Sequence, residues 1–157
     1  MKSKFIGISG SSGFIGRYLS DYLTNQGLKV VSFSRTQREY ECQSSRYFDL
    51  TDASEKAVDL SSIDTFIHLA GAAHGKFSKD TNAIEVSGII RLLQNCVSSN
   101  VNHFIYVSSA AVYGKSFAKA PISVRSTPSP ISDYGISKLR CENLVKQICT
   151  DHRITFS

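Results

Sequence analysis

Several features that would assign a chain to a particular class are missing from this sequence. None of its apolar runs approaches the roughly 18 residues that a membrane-spanning helix needs. The first residues lead directly into Lys4-Phe5-Ile6-Gly7-Ile8, without the hydrophobic segment and the small-residue cleavage site of a secretory signal. We therefore expect a soluble, cytoplasmic protein that has no membrane partner.

Paired cysteines are also missing. The four cysteines are Cys42, Cys96, Cys141 and Cys149, and no two of them form a CxxC pair. Cys96, Cys141 and Cys149 lie in segments with helical patterning, which indicates neither a zinc site nor a disulfide framework. We expect reduced thiols and no metal site.

A basic cluster is the third missing feature. The chain of 157 residues has 18 basic and 13 acidic side chains, a formal net charge of +5. Its lysines and arginines are scattered among acids, and aromatic residues do not alternate with them as they do in nucleic-acid-binding surfaces. The simpler interpretation is a solvated mixed surface, and we expect no nucleic-acid partner.

What the sequence does contain is a regular alternation of two kinds of segment. Short β-branched and aromatic runs predict strands at Lys4–Ser9, Lys29–Ser34, Arg46–Phe48, Thr65–Leu69 and His103–Ser108. Longer amphipathic runs predict helices at Phe14–Gln26, Asp80–Ser99 and Ser132–Thr150. This alternation is typical of βαβ units, so we predict one α/β domain over residues 1–157 with a doubly wound parallel sheet.

Two other segments carry predictions of their own. The run from Gly114 to Pro130 holds three prolines and several serines, which predicts a long loop that is either functional or mobile. Arg153–Ser157 begins a further strand at which the chain stops. A truncated protein is the favoured explanation, and a terminal edge strand is the alternative.

Three glycines follow the first predicted strand and open the first predicted helix. Gly10, Gly13 and Gly16 would supply a tight turn, a close approach to a phosphate and close packing of the helix on the strand. Ser12 adds a hydroxyl donor, and the helix N-terminus offers free N–H groups to an anion. This context predicts that a dinucleotide binds here, and a purely structural turn is the alternative.

The end of the second strand bears on the choice of dinucleotide. An acid at this place would accept a hydrogen bond from the adenosine 2′-hydroxyl, but the chain has Ser34 and Arg35. A serine hydroxyl and a guanidinium would hold a 2′-phosphate. NADP(H) is therefore favoured, and NAD(H) stays possible. The alternative for Arg35 is that its side chain is simply a solvated charge.

Tyr134 and Lys138 are four residues apart on a predicted helix, so their side chains project from one face. A tyrosine hydroxyl is a poor base at neutral pH, and a lysine ammonium beside it would favour the phenolate. Alone, the pair is weak evidence of a catalytic site, because a tyrosine and a lysine that simply lie together on a helix surface have the same spacing.

The three motifs together resemble the extended short-chain dehydrogenase/reductases. They are Gly10-x-x-Gly13-x-x-Gly16, the run Val107–Gly114, and Tyr134-Gly135-Ile136-Ser137-Lys138. Within that family the chain is most similar to the NAD-dependent epimerase/dehydratase type, that is, to nucleotide-sugar 4-epimerases and 4-keto-sugar reductases.

The resemblance implies a Rossmann fold whose C-terminal substrate lobe is absent, a nucleotide-sugar substrate and a homodimer. It also implies that Ser109, rather than Ser108, acts with Tyr134 and Lys138 in hydride transfer at the sugar C4. The further cofactor-binding residues that it implies are Phe14 and Ile15 at the pyrophosphate, Asp49 and Leu50 at the adenine, and Leu69, Ala70 and Gly71 along the adenosine ribose. For Asp49, a turn aspartate is the alternative.

The sequence also departs from the family. Ala110 and Ala111 replace the Asp-Glu pair of its dehydratases, which argues against dehydration. Glu85 stands where an asparagine is usual in the family, and a carboxylate near the cofactor phosphates would be unfavourable. Either this part of the site differs from the family, or the alignment slips locally. The choice between an epimerase and a reductase stays open. The alternative from another functional class is a non-catalytic NAD(P)-binding or redox-sensing protein.

Overall fold

The computed structural model describes residues 5–35, 44–52, 58–71, 79–118 and 121–157. For residues 79–81 and 115–118 the description covers the backbone alone. Cys42 lies outside the described residues. Among the described residues, Cys96, Cys141 and Cys149 are buried free thiols. Burial raises the pKa of each of these three thiols, which keeps them protonated.

In the described part of the chain, six parallel strands form one sheet in the spatial order β3-β2-β1-β4-β5-β6. Their bounds are β1 Phe5–Ser9, β2 Val30–Ser34, β3 Ser44–Tyr47, β4 Ile63–His68, β5 His103–Tyr106 and β6 Thr155–Phe156. The order reverses between β1 and β4, which lie side by side, with Gly7 opposite Phe66. The connections that follow β1 and β4 therefore lead to opposite faces of the sheet, and they border a crevice at its switch point.

Among the described residues, three α-helices connect these strands and cover both faces of the sheet. Their bounds are α1 Phe14–Asn25, α2 Lys79–Ser98 and α3 Asp133–Asp151. On one face, Leu19 and Leu23 of α1 pack against Ile8, Val30 and Ile67.

On the other face, α2 and α3 pack against each other and against the sheet. The buried residues of this larger core include Phe33, Phe66 and Phe104 from the strands and Leu93 and Val145 from the helices. The predicted doubly wound parallel sheet is confirmed, and its inner strands β1, β2, β4 and β5 contribute apolar side chains to both cores, as strands covered on both faces do.

The predicted helices start and end within a residue of the observed ones. The Ser132 hydroxyl caps α3 by accepting the N–H of Gly135 at 3.1 Å. Of the first five strands, three differ from prediction by two residues at one end: β3 begins at Ser44, β4 begins at Ile63 and β5 ends at Tyr106. The chain leaves β5 early because it turns into a 3₁₀ segment over Ala110–Ala118, which occupies the start of the predicted loop from Gly114 to Pro130.

The last strand, β6, pairs with β5 through His103 opposite Thr155 and Phe104 opposite Phe156. In the part of the chain that the structure describes, no helix combines the length and the apolar character needed to cross a membrane.

Candidate functional site

A cavity of about 780 Å³ opens where the carboxyl ends of the strands meet the N-terminus of α1. All the residues predicted to bind the cofactor lie on its wall: Gly10, Ser12, Gly13, Phe14, Ile15, Gly16, Ser34, Arg35, Asp49, Leu50, Leu69, Ala70, Gly71, Tyr134 and Lys138. The wall also contains Phe48, Thr51, Ile84, Glu85, Val107 and Ser108. One concave site thus brings together residues from segments far apart in sequence.

The glycine turn forms one end of this cavity. Gly10 has a φ of +71°, a left-handed conformation that favours glycine. A Cβ at Gly16 would lie 2.2 Å from the Gly10 carbonyl oxygen, so only glycine lets α1 start this close to the turn. Helix geometry leaves the first amides of α1 without partners inside the helix, and Phe14 and Ile15 lie there, on the cavity wall. This end of the cavity is suited to an anionic group such as a pyrophosphate.

A buried polar pair ties the turn to the next strand. The Nδ1 atom of His68 lies 2.7 Å from the Ser9 hydroxyl oxygen, and the Ala70 N–H donates to the same oxygen at 3.5 Å. Burial, and secondarily the charge of Lys138, lowers the pKa of His68 to about 3. The neutral imidazole therefore joins the ends of β1 and β4 directly beneath the cavity. Sequence patterning gave no indication of this residue.

A second end of the cavity lies between β2 and the chain after β3. Ser34 is buried there, whereas Arg35 is exposed. One carboxylate oxygen of Asp49 accepts the Thr51 N–H at 2.9 Å and the Thr51 hydroxyl at 2.8 Å. Asp49 therefore serves as a turn aspartate, the alternative considered from sequence, and it also lies on the cavity wall.

Tyr134 and Lys138 project from the first turns of α3 towards the opposite part of the cavity. The Lys138 Nζ lies 5.7 Å from the centre of the Tyr134 ring and 5.1 Å from that of the Tyr106 ring. A Cβ at Gly135 would lie 2.5 Å from the Ala111 carbonyl oxygen, so glycine allows α3 to pack closely on the segment that follows β5. This close packing sets the distance between Tyr134 and the serines of that segment.

Those serines differ in their hydrogen bonds. The Ser108 hydroxyl donates to the Glu142 carboxylate. The Ser109 oxygen instead accepts the Ala111 N–H at 3.2 Å. Ser108 lies on the cavity wall, whereas Ser109 is half-buried beside it. The preference for Ser109 as the catalytic serine stays a prediction.

Glu85 of α2 departs from the family's pattern, and the sequence did not show which residue its side chain contacts. Its Oε1 lies 3.0 Å from the Lys138 Nζ, and both side chains are buried, with 5% and 6% exposed. The Ser137 hydroxyl donates to the other carboxylate oxygen at 3.3 Å. This carboxylate is thus the ion-pair partner of Lys138.

Known proteins match the chain over most of its length. The model of the NAD dependent epimerase/dehydratase family matches residues 6–157. The UDP-glucose 4-epimerase of Vibrio cholerae is 25% identical over 158 residues, which cover 94% of this chain and 48% of that protein. The GDP-6-deoxy-D-mannose reductase of Pseudomonas aeruginosa is 29% identical over 150 residues, which cover 89% of this chain and 45% of that protein.

Solved structures agree with these matches. The structure of MoeE5 in complex with UDP-glucose and NAD superposes with a TM-score of 0.78 at 28% identity. The superposition covers 97% of this chain and 51% of that one. The chain therefore spans about half the length of the relatives that it matches.

Proposed function

The chain belongs to the NAD-dependent epimerase/dehydratase family, and on that basis we propose that it is the NAD(P)-binding domain of a nucleotide-sugar 4-epimerase or 4-keto-sugar reductase. One observation carries the proposal: a single cavity runs from the glycine turn at Gly10–Gly16 to the pair Tyr134 and Lys138. Because the relatives include both a UDP-glucose 4-epimerase and a GDP-6-deoxy-D-mannose reductase, the proposal covers both epimerisation and reduction.

The residues of the cavity fit a dinucleotide. Glycine at position 16 lets the N-terminus of α1 pack directly on the turn, so that the first residues of the helix lie on the cavity wall, where a pyrophosphate would bind. The volume of about 780 Å³ lies within the range of cavities that hold cofactors. Gly10 to Gly16 would hold the phosphates, Asp49 and Leu50 the adenine, and Tyr134 and Lys138 the nicotinamide ribose.

When bound, the cofactor would supply or accept the hydride at the sugar C4. The protein's part is to move a proton at the Tyr134 hydroxyl, which gives it to, or takes it from, the C4 oxygen. The Ser109 hydroxyl would orient that oxygen and share its developing charge. Lys138 lies close enough to the Tyr134 ring to act on it electrostatically.

Replacing the tyrosine hydroxyl tests this assignment. We propose that the nucleotide sugar is bound mostly by the part of such proteins that this chain does not span, so the test uses a protein of the relatives' full length. Tyr134→Phe should lower kcat by a factor of about 100 or more, because the proton donor is lost. The dissociation constant of the dinucleotide should change much less. Tyr22→Phe, an exposed tyrosine on α1, is the matched control. Unaltered kcat in Tyr134→Phe would favour the non-catalytic alternative.

For the cofactor we propose a preference for NADP(H) over NAD(H). The exposed Arg35 on the cavity wall supports this, because a guanidinium can bind a 2′-phosphate. MoeE5, by contrast, was solved with NAD. Titrating NADPH and NADH into the chain should give the lower dissociation constant for NADPH. Arg35→Gln should remove that difference, and tighter binding of NADH by the unaltered chain would refute the preference.

A homodimer and a cytoplasmic location stay predictions drawn from the sequence.

A further inference from the structure

The ion pair between Glu85 and Lys138 sets the charge of one end of the cavity. Four residues of the described cavity wall carry a formal charge, and they are Arg35, Asp49, Glu85 and Lys138. Arg35 and Asp49 lie at the end formed by β2 and β3. Glu85 and Lys138 lie at the Tyr134 end, 3.0 Å apart, so their charges cancel there.

The other titratable groups that face the pair add no charge near neutral pH. His68 of β4 is neutral because burial lowers its pKa to about 3. Burial also raises the pKa of Tyr106 on β5 and of Cys141 on α3, so both keep their protons. The Tyr134 ring on α3 lies 5.7 Å from the Lys138 Nζ. The charge of this end therefore depends on the pair itself.

The pair lies at the cavity surface because the residue beside it is glycine. A Cβ at Gly71 would lie 3.0 Å from the Glu85 Oε1 and 3.1 Å from the Lys138 Nζ. A larger residue after β4 would crowd both charged groups. With glycine there, a ligand in the cavity can approach the carboxylate as well as the ammonium.

We propose that Glu85 is a specificity-determining residue that sets which oxidation state of the dinucleotide the cavity prefers, by cancelling the charge of Lys138. The proposal rests on the proposed function, in which the nicotinamide lies at the Tyr134 end. The oxidised and reduced forms share their adenosine, riboses and pyrophosphate. They differ at the nicotinamide ring, which is positively charged when oxidised and neutral when reduced. A lone Lys138 would repel the oxidised ring, and Glu85 removes that repulsion.

The measurement is the ratio of two dissociation constants, oxidised over reduced, obtained by titration calorimetry with NAD⁺ and NADH and repeated with NADP⁺ and NADPH. Glu85→Gln leaves a net positive charge, and the ratio should rise on the order of tenfold. Lys138→Met leaves a net negative charge, and the ratio should fall. The double variant restores neutrality, so its ratio should return close to that of the unaltered chain. A purely structural pair would instead change both dissociation constants by the same factor.

Asp49→Asn is the matched control, because it removes a carboxylate from the other end of the same cavity wall. It should change the binding of both oxidation states alike and leave the ratio as it was. Circular dichroism verifies folding, since a single unpaired buried charge is destabilising. If Glu85→Gln does not fold, the ratio must still be lower in Lys138→Met than in the double variant.

The binding data test the role of Glu85 and the proposed function separately. Ratios that do not follow the net charge of the pair overturn the role of Glu85 while dinucleotide binding itself stands. Failure of the unaltered chain to bind either oxidation state overturns the proposed function, and the role of Glu85 with it.

Discussion

Single residues in this site are held by their surroundings in definite protonation states. His68 is the clearest case, because it is 1% exposed and stacked on Tyr106 with a centroid distance of 5.9 Å. Its ring accepts or donates one hydrogen bond with Ser9 and has little room for the hydration that a charged imidazole requires. The contact that joins β1 to β4 thus depends on an uncharged ring.

This burial predicts a pH-dependent stability. The pKa of His68 is about 3 in the fold, against an ordinary value of 6.5 in the unfolded chain. Below pH 6.5 the unfolded chain binds a proton that the folded chain does not. The free energy of unfolding should therefore fall as the pH decreases from 6.5 towards 3, by up to about 1.4 kcal/mol per pH unit from this group.

Urea unfolding of the chain at a series of pH values measures the effect. His68→Gln should flatten the slope in this window, because it removes the titrating ring. The matched control is His152→Gln, since His152 is exposed at the end of α3 and should leave the slope unchanged. An equal slope in the His68 variant and the unaltered chain would contradict the explanation.

At the scale of elements, the strands and helices could be predicted because their patterns have physical periods. The inner strands β1, β2, β4 and β5 place apolar side chains on both faces, and helical spacing places Leu19 and Leu23 of α1 on the sheet. The family expected from the glycine turn, the serine segment and the Tyr134–Lys138 pair is confirmed by the match over residues 6–157.

What could not be predicted was the partner of each polar group. Glu85 and Lys138 are 53 positions apart, on α2 and α3, and their contact exists only because these helices pack against each other on one face of the sheet. Ser9 and His68 meet in the same way, through the pairing of β1 with β4. Sequence periodicity locates a face of a helix or strand, but the residue opposite that face depends on how the elements pack.

The residue at which β5 ends could not be predicted from sequence periodicity either. Val107 and Ser108 continue the β-branched and polar alternation of a strand, but the register of β5 with β4 ends at Tyr106, opposite His68. Beyond Tyr106 the chain turns into the 3₁₀ segment, which places Ser108 and Ser109 beside α3. The local pattern could not show where the pairing partner ends.

At the scale of the whole molecule, the cavity wall is formed by the sheet, its loops and each of the helices among the described residues, and it supports the proposed dinucleotide site. The chain spans about half the length of its relatives, for example 48% of the Vibrio cholerae protein. We therefore expect the chain to bind dinucleotide and to turn over no nucleotide sugar. Calorimetry with NADPH and NADH tests the first part.

The second part is tested by incubating the chain with each cofactor and with a nucleotide sugar or its 4-keto form. Hydride transfer requires the sugar C4 to be held against the nicotinamide, and a misplacement of about 1 Å can cost a factor of about 100 in rate. A cavity that binds only the dinucleotide should therefore show no epimerised sugar by NMR and no oxidation of NADPH or NADH by absorbance. Measurable turnover would show that the 157 residues already contain a complete sugar site. Dinucleotide binding without turnover would instead place the contacts that choose the sugar outside the cavity built by β1, β4 and α3.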